Sequence, residues 1–421
     1  MDKDIKKSKF DYKYVIIAVC MLVIFVGLGF CSSSKGIYLN PILEYTGLSA
    51  GLYGFSDTFR FLTTSIVNIF FGTLIAKFGV KKLVGAGFIS LTISMILYAF
   101  SSTLIGFYLA GAFLGLGIAW SATAMIGYIV RKWETKNRGT VMGIILAING
   151  FGSSLATILF TPIIQSSATG YKTAFLITAL VVFIVGIIAV IFLKDKKAET
   201  TETSSNEKRR GDSWVGIDKK TALKKSYFYL TMLCMFLTGV VIHSITSVFV
   251  RHIQRIGMDN TFQSIIIPAS MIVLSFTKFV TGYMYDKRGL RFTMSINIIC
   301  AVVAMITIAL VNNSLIGMVL CVIYVITSNL ALPLETIMLP IFAGDLFGEK
   351  DYNKILGYVV AFNNLGYAVG APLMGFVFDI FNSYVPAFYA GGIIMAIVFI
   401  IMQYVVNQAN KTKKLVEMQA L

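Results

Sequence analysis

The chain has 421 residues, of which 57% are hydrophobic and only 13% charged. A soluble domain carries about 25% charged residues, so a large soluble core is excluded and an integral membrane protein is expected. The formal charge of +16 does not point to nucleic acid, because the basic residues gather in short loops between apolar runs.

The first 14 residues, MDKDIKKSKFDYKY, are polar. The apolar run that follows is too long for the core of a secretory signal and has no cleavage site. About 20 apolar residues cross a bilayer. Twelve such runs follow one another: 14–39, 51–76, 83–100, 103–130, 139–164, 173–193, 227–250, 262–285, 292–311, 315–343, 355–380 and 385–406. Residues 194–225, between the sixth and seventh runs, are polar and charged and include the piece TETSS at Thr201–Ser205. The chain is therefore expected to be an all-α membrane protein of twelve transmembrane helices. It divides into a six-helix bundle at 1–193, a linker at 194–225 and a second six-helix bundle at 226–421.

Lysine and arginine set the orientation. About 30 of the 36 fall in the N-terminus, the even-numbered loops, the linker and the C-terminus, while the opposite side carries Lys172, Arg251 and Arg255. Both termini and the linker are expected to be cytoplasmic, and the protein to be multi-pass in the plasma (inner) membrane. The five cysteines, Cys20, Cys31, Cys234, Cys300 and Cys321, lie inside apolar runs and form no CxxC pair, which argues against a metal site or a disulfide framework. The glycine-rich piece Gly111–Gly117 does not follow a strand, so no nucleotide loop is implied. No cofactor and no nucleic acid partner are expected.

The two halves repeat. Gly72 and Gly79 recur as Gly282 and Gly289, and Gly29 and Gly47 as Gly239 and Gly257; since 282 − 72 = 210, all four pairs share one offset. AINGFG at Ala147–Gly152 recurs as AFNNLG at Ala361–Gly366, with 361 − 147 = 214. Duplicated hydrophobic halves point to a site at their interface.

Two six-helix halves, a long linker and a glycine-bracketed turn after the second helix of each half resemble the major facilitator superfamily. That family's turn reads roughly G-x-x-x-D-x-x-G-x-[RK]. The later copy fits with Gly282, Asp286, Gly289 and Arg291, while the earlier has Gly72, Gly79 and Lys81 but Ala76 in place of the acid. The resemblance implies a cytoplasmic gating latch that is weaker in the first half. Gly170–Phe175, GYKTAF, also fits the family's G-[WY]-[RK]-x-[AT]-F. A narrower likeness is to the oxalate/formate antiporter and monocarboxylate transporter branch. It rests on Lys278 four residues before Gly282, Lys35 late in the first helix, the Trp133…Arg138-Gly139…Gly143 pattern and the helix ending Arg251–Met258. Relatives usually have arginine where Lys278 sits. The antiporters' lysine in helix eleven and the carriers' acidic-glycine-aromatic motif in helix one are both absent.

Ionisable residues inside membrane spans are costly and mark functional sites. Here they are Lys35, Asp57, Arg60, His243, Lys278 and Glu335, on helices one, two, seven, eight and ten. Helices three, six, nine and twelve, peripheral in the resembling fold, carry none. Lys278 is expected either to anchor a substrate carboxylate as a point charge or to pair with Glu335. The Arg60 fork suits a carboxylate, but Asp57 three residues earlier offers an internal partner. Lys35 either attracts anions at the mouth or snorkels to the interface. Glu335, beside the helix-bending Pro333, and Asp57 are the candidates for carrying a coupling proton, or are structural partners of a cation. His243 is a further proton or hydrogen-bond candidate, or a satisfied core histidine. Asn149 and Asn363, at matched positions of helices five and eleven, either bind substrate or glue helices together, and the same choice applies to Trp120, Asn329 and Tyr367.

Three intramembrane cations against two carboxylates leave 3 − 2 = +1, which suits an anion. The expected function is secondary active transport of a small organic anion, a monocarboxylate or small dicarboxylate. The drive would be proton symport or anion exchange through alternating access, with protons as a possible coupling ion. The protein is expected to be a monomer and not an enzyme. The alternative is an exporter of drugs or another non-carboxylate solute, though the drug exporters' proline-glycine motif is missing from Asn149–Thr161.

Overall fold

A computed structural model describes residues 12–134, 136–194 and 214–419. The polar N-terminal residues 1–11 and the TETSS piece of the linker lie outside the described residues. Twelve helices run through the rest. They are α1 (Lys13–Thr46), α2 (50–78), α3 (80–100), α4 (Leu104–Trp133), α5 (Arg138–Gln165), α6 (Gly170–Phe192), α7 (Ser226–Arg255), α8 (260–288), α9 (290–310), α10 (315–347), α11 (Tyr352–Phe381) and α12 (Val385–Gln419). Many are longer than the apolar runs that predict them, because their polar ends continue as helix beyond the hydrophobic stretch.

The internal repeat is visible in the backbone. Gly79 separates α2 from α3 with φ 75°, and Gly289 separates α8 from α9 with φ 77°. With ψ at 172° and −179° these positive-φ conformations are essentially confined to glycine, so glycine at both turns lets each helix pair reverse tightly. The helices that start at the opposite end of the molecule are capped in matched pairs. Ser49 Oγ accepts from Leu52 N–H and Asp259 Oδ2 from Phe262 N–H. Thr103 Oγ1 accepts from Gly106 N–H and Ser314 Oγ from Gly317 N–H. Each cap satisfies one of the four orphan donors of a helix start.

Helices α1, α7 and α10 carry π or 3₁₀ segments partway along their length, and α4 is interrupted at Ala122 (φ −110°, ψ −138°). In α1 a π-turn at Phe25–Phe30 is followed by a 3₁₀ stretch at Ser33–Tyr38, and α7 holds a π-turn at Gly239–His243. In α10 the segment Leu332–Glu335 is 3₁₀. Pro333 cannot donate a backbone hydrogen bond, which removes one link of the helical ladder at the break. The π-turns bring Gly29 against Gly152 of α5 and Gly239 against the Asn363 carbonyl of α11, so the repeat extends to helix contacts.

One end of the molecule gathers the chain ends. Lys13 reaches Glu134 at 3.7 Å. Arg291 Nε donates to Gln403 Oε1 at 2.8 Å and its Nη1 to Asn407 Oδ1 at 3.2 Å, tying the start of α9 to the tail of α12. The described end of the linker, 214–217, packs on the end of α10 through Ile217 N–H to Phe347 O at 3.0 Å and on the loop after it through Glu349 N–H to Val215 O at 3.2 Å. This is called the basal end below.

Candidate functional site

The first and last six helices meet closely towards the basal end. A Cβ on Gly282 of α8 would run into the Gly139 carbonyl of α5, and one on Gly143 would stand 2.7 Å from the Lys278 carbonyl. On the symmetric side, a Cβ on Gly72 of α2 would stand 2.6 Å from Lys354 N of α11. Ser65 Oγ donates to Ala361 O at 2.9 Å. Only residues without side chains allow such approaches, the same device that lets helices close on each other in lipid.

Polar contacts lock the same end. The Asp286 carboxylate accepts from Gly139 N–H at 3.0 Å and Thr140 N–H at 2.7 Å. These are orphan donors at the start of α5, where the helix dipole also favours a negative charge. In the first-half copy of the turn Ala76 stands where Asp286 has its equivalent, and among the described residues the close approach there is the glycine packing of Gly72 on Lys354. Lys81 is exposed. Arg131 of α4 grips Glu349 across the halves through Nε at 2.9 Å and Nη2 at 2.7 Å. Its guanidinium also lies over the Tyr352 ring at 4.4 Å. Arg138 adds a contact to Glu349 at 3.5 Å. Sequence reasoning missed Arg131 and Glu349; they are 218 residues apart, and nothing in residue spacing pairs charges that far apart.

Above this floor lies a cavity of about 290 Å³ between the halves. Of the residues singled out from the sequence, Arg60, His243, Lys278, Glu335, Asn149, Asn363 and Tyr367 line it. Arg60 comes from α2 and Lys278 from α8, so each half contributes one cation. Lys35, Asp57 and Trp120 do not line it. Trp120 packs its Cβ over Gly87 of α3. Asn329 donates to Ser270 Oγ and the Val325 carbonyl, joining α10 to α8.

Lys278 is 4% exposed, and its Nζ donates to the Leu146 carbonyl of α5 at 3.1 Å. Among the described residues no carboxylate lies within 4.0 Å of it, so the alternative pairing with Glu335 does not form. Glu335 is also 4% exposed, and its Oε1 has no partner. It sits in the 3₁₀ break of α10 and lines the cavity. Beside it an aromatic shelf is built from both halves. The His243 ring stacks on Tyr367 at 4.2 Å, and Phe61 meets each edge-on at 5.0 Å.

Arg60 is tightly surrounded. Nη1 donates to Ser32 Oγ at 2.9 Å, Cζ lies 4.1 Å from the Phe61 ring centroid, and Nε is buried without a partner. Asn149 Oδ1 accepts from Ser33 Oγ at 2.9 Å. Asn363 Nδ2 donates to the Met235 carbonyl at 3.1 Å while its Oδ1 has no partner. The amide thus joins α11 to α7 and keeps a free acceptor. The small polar residues Ser32, Ser33, Thr64, Asn68 and Thr336 also line the cavity. Nothing in a run of serines and threonines separates cavity-lining from lipid-facing positions, so the sequence does not single them out.

The model of the Major Facilitator Superfamily matches residues 17–344 and 330–419. The chain is 21% identical over 278 residues to "Uncharacterized MFS-type transporter YcxA" of Bacillus subtilis (strain 168), covering 64% of each chain. The aligned region thus spans just under two thirds of that relative's length. It is 25% identical over 327 residues to "Monocarboxylate transporter 13" of Rattus norvegicus, covering 76% of this chain and 72% of the relative. Among solved structures it resembles the proton:xylose symporter XylE bound to 6-bromo-6-deoxy-D-glucose. The TM-score is 0.76 at 12% identity, over 94% of this chain and 97% of that one.

Proposed function

This chain belongs to the Major Facilitator Superfamily, and on that premise we propose that it is a secondary active transporter of a small organic anion. It is a multi-pass membrane protein of twelve helices in two bundles, a fold in which the halves rock about a midplane site. The observation that carries the substrate class is the pair Arg60 and Lys278, one from each half, on one cavity with a single carboxyl, Glu335. Their formal sum is 2 − 1 = +1 with His243 neutral. A cation in a low-dielectric cavity attracts a carboxylate far more strongly than it does in water. A carboxylate held by both would tie the two halves to one ligand. The likeness to a monocarboxylate transporter supports the same class.

Lys278 and Arg60 are the anchors in this reading, with Asn149, Asn363 and His243 supplying hydrogen bonds and the Phe61–His243–Tyr367 shelf an apolar wall. Glu335 is the better proton carrier of the two carboxyls. It has no cation within 4.0 Å among the described residues, whereas Asp57 has two. Gly72, Gly79, Lys81, Gly282, Asp286, Gly289 and Arg291 form the gate. The basal end, with both termini and the linker, faces the cytoplasm of a cell whose plasma membrane holds the protein as a monomer.

The test is uptake of labelled formate, acetate, lactate, pyruvate and oxalate into proteoliposomes, with and without an inward proton gradient. Gradient-driven uptake supports symport, and uptake only against internal anion supports exchange. Absence of uptake for every anion, by protein shown to be folded, removes the organic-anion reading. A second reading, efflux of a cationic solute, draws on Glu335, whose Oε1 has no partner, beside the aromatic shelf. It predicts that lipophilic cations, and no carboxylate, protect the protein against thermal unfolding.

A further inference from the structure

Lys35, Asp57 and Arg60 form a line in which one carboxylate oxygen serves two cations. Asp57 Oδ1 lies 3.0 Å from Lys35 Nζ and 3.6 Å from Arg60 Nη1. The shares are unequal. Lys35 makes the short contact and is held in place from other sides. Its Nζ also donates to Ser56 Oγ at 3.3 Å and lies over the Tyr98 and Tyr53 rings at 4.7 and 5.7 Å. Its side chain is 9% exposed, against 44% for Asp57. Arg60 makes the long contact and keeps a buried Nε with no partner. Of the three, only Arg60 lines the cavity.

We propose that Asp57 is a built-in competitor for Arg60, and that Lys35 sets the affinity of the site for an anion by holding Asp57 away from it. This rests on the organic-anion reading given above. The physical content is that Arg60 has two calls on it, Asp57 and the ligand carboxylate. Each unit of Asp57 charge drawn to Lys35 leaves Arg60 freer for the ligand. Lys35 and Asp57 are then positioning residues that touch no substrate, and their effects have opposite signs.

The experiment measures dissociation constants of the purified full-length protein for oxalate and acetate by calorimetry. The variants are Lys35→Met, Asp57→Asn and the double variant. Lys35→Met should weaken anion binding by about tenfold, because Asp57 then turns wholly to Arg60. Asp57→Asn should tighten it by roughly threefold or more, because the competitor is gone. The double variant should bind at least as tightly as the unaltered protein, since without Asp57 there is nothing for Lys35 to restrain. A purely structural ion pair also gives rescue when both partners are removed, so the deciding sign is that Asp57→Asn alone tightens binding.

If both single variants weaken binding and the double is weaker still, the proposal is overturned while the organic-anion reading stands. If the unaltered protein binds neither these anions nor the others of the uptake panel, that reading itself fails. Should Lys35→Met not fold, Lys35→Arg, which keeps the charge, must leave affinity near that of the unaltered protein, and Asp57→Asn alone must still tighten it. Weaker binding by Asp57→Asn would rule the proposal out.

Discussion

At the scale of single residues, the cavity is defined by groups whose hydrogen-bonding capacity is not used up within the protein. Lys278 has three donors, and the carbonyl of Leu146 occupies one. Lys278→Ala should therefore weaken anion binding by about tenfold to a hundredfold, the scale of one charge-assisted hydrogen bond to the ligand. Titration calorimetry on protein of unchanged melting temperature would show it, and unchanged affinity would remove Lys278 from the site. Glu335 makes the opposite kind of prediction. If it carries the coupling proton, Glu335→Gln should abolish uptake driven by a proton gradient while leaving exchange of internal for external anion. Loss of both activities together would mean that the carboxyl binds substrate or holds the break in α10 instead.

At the scale of elements, the segments at the breaks in α1, α7 and α10 lie beside the residues that line the cavity, Ser32, His243 and Glu335 among them. The proposed gate depends on how closely α5 and α8 approach. A methyl group on Gly282 has no space beside the Gly139 carbonyl. Gly282→Ala should force the two helices apart at the basal end, at a cost of about 1–3 kcal/mol. The readouts are a lower melting temperature and faster thiol labelling of a cysteine placed at Thr140. No change in labelling would mean that the helices slide without opening the gate. Asp286→Asn removes the charge from the cap on α5 and should cost about 1 kcal/mol. The matched turn at Ala76 has no carboxylate to lose, so its substitutions should matter less.

At the scale of the whole molecule, the structure is a conformer closed at the basal end. Alternating access requires a second one in which the contacts across that end are broken. Arg131 and Glu349 are the strongest charged contact there, though Glu349 is 37% exposed and solvent screens the pair. A double-mutant cycle with Arg131→Ala and Glu349→Ala should give a coupling of about 1 kcal/mol for closure at the basal end. Spin-label distances between the basal ends of α4 and α10 would measure it. The linker end at 214–217 clasps the same loop, so cutting the chain within 195–213 should lower the population of this conformer less than removing the ion pair does.

Much of this is legible in the sequence alone. Hydrophobic runs and the cost of burying charge are local properties, so residue order is enough to indicate twelve spans, the doubled chain and the helices that carry Arg60, Lys278 and Glu335. The 210-residue offset locates Gly79 and Gly289, and both take the positive φ that separates a helix pair. What the sequence leaves open is pairing: whether Lys278 meets Glu335, whether Asp57 serves Arg60 alone, and whether Lys35 snorkels to the interface. The tertiary structure decides each one. Lys278 bonds a backbone carbonyl 132 residues away, Glu335 keeps an unpartnered oxygen, and Lys35 takes the larger share of Asp57. The reason is geometric. Which charges meet depends on the rotation and depth of helices far apart in the chain, and the π- and 3₁₀ breaks in α1, α7 and α10 shift that rotation by amounts that residue spacing does not encode.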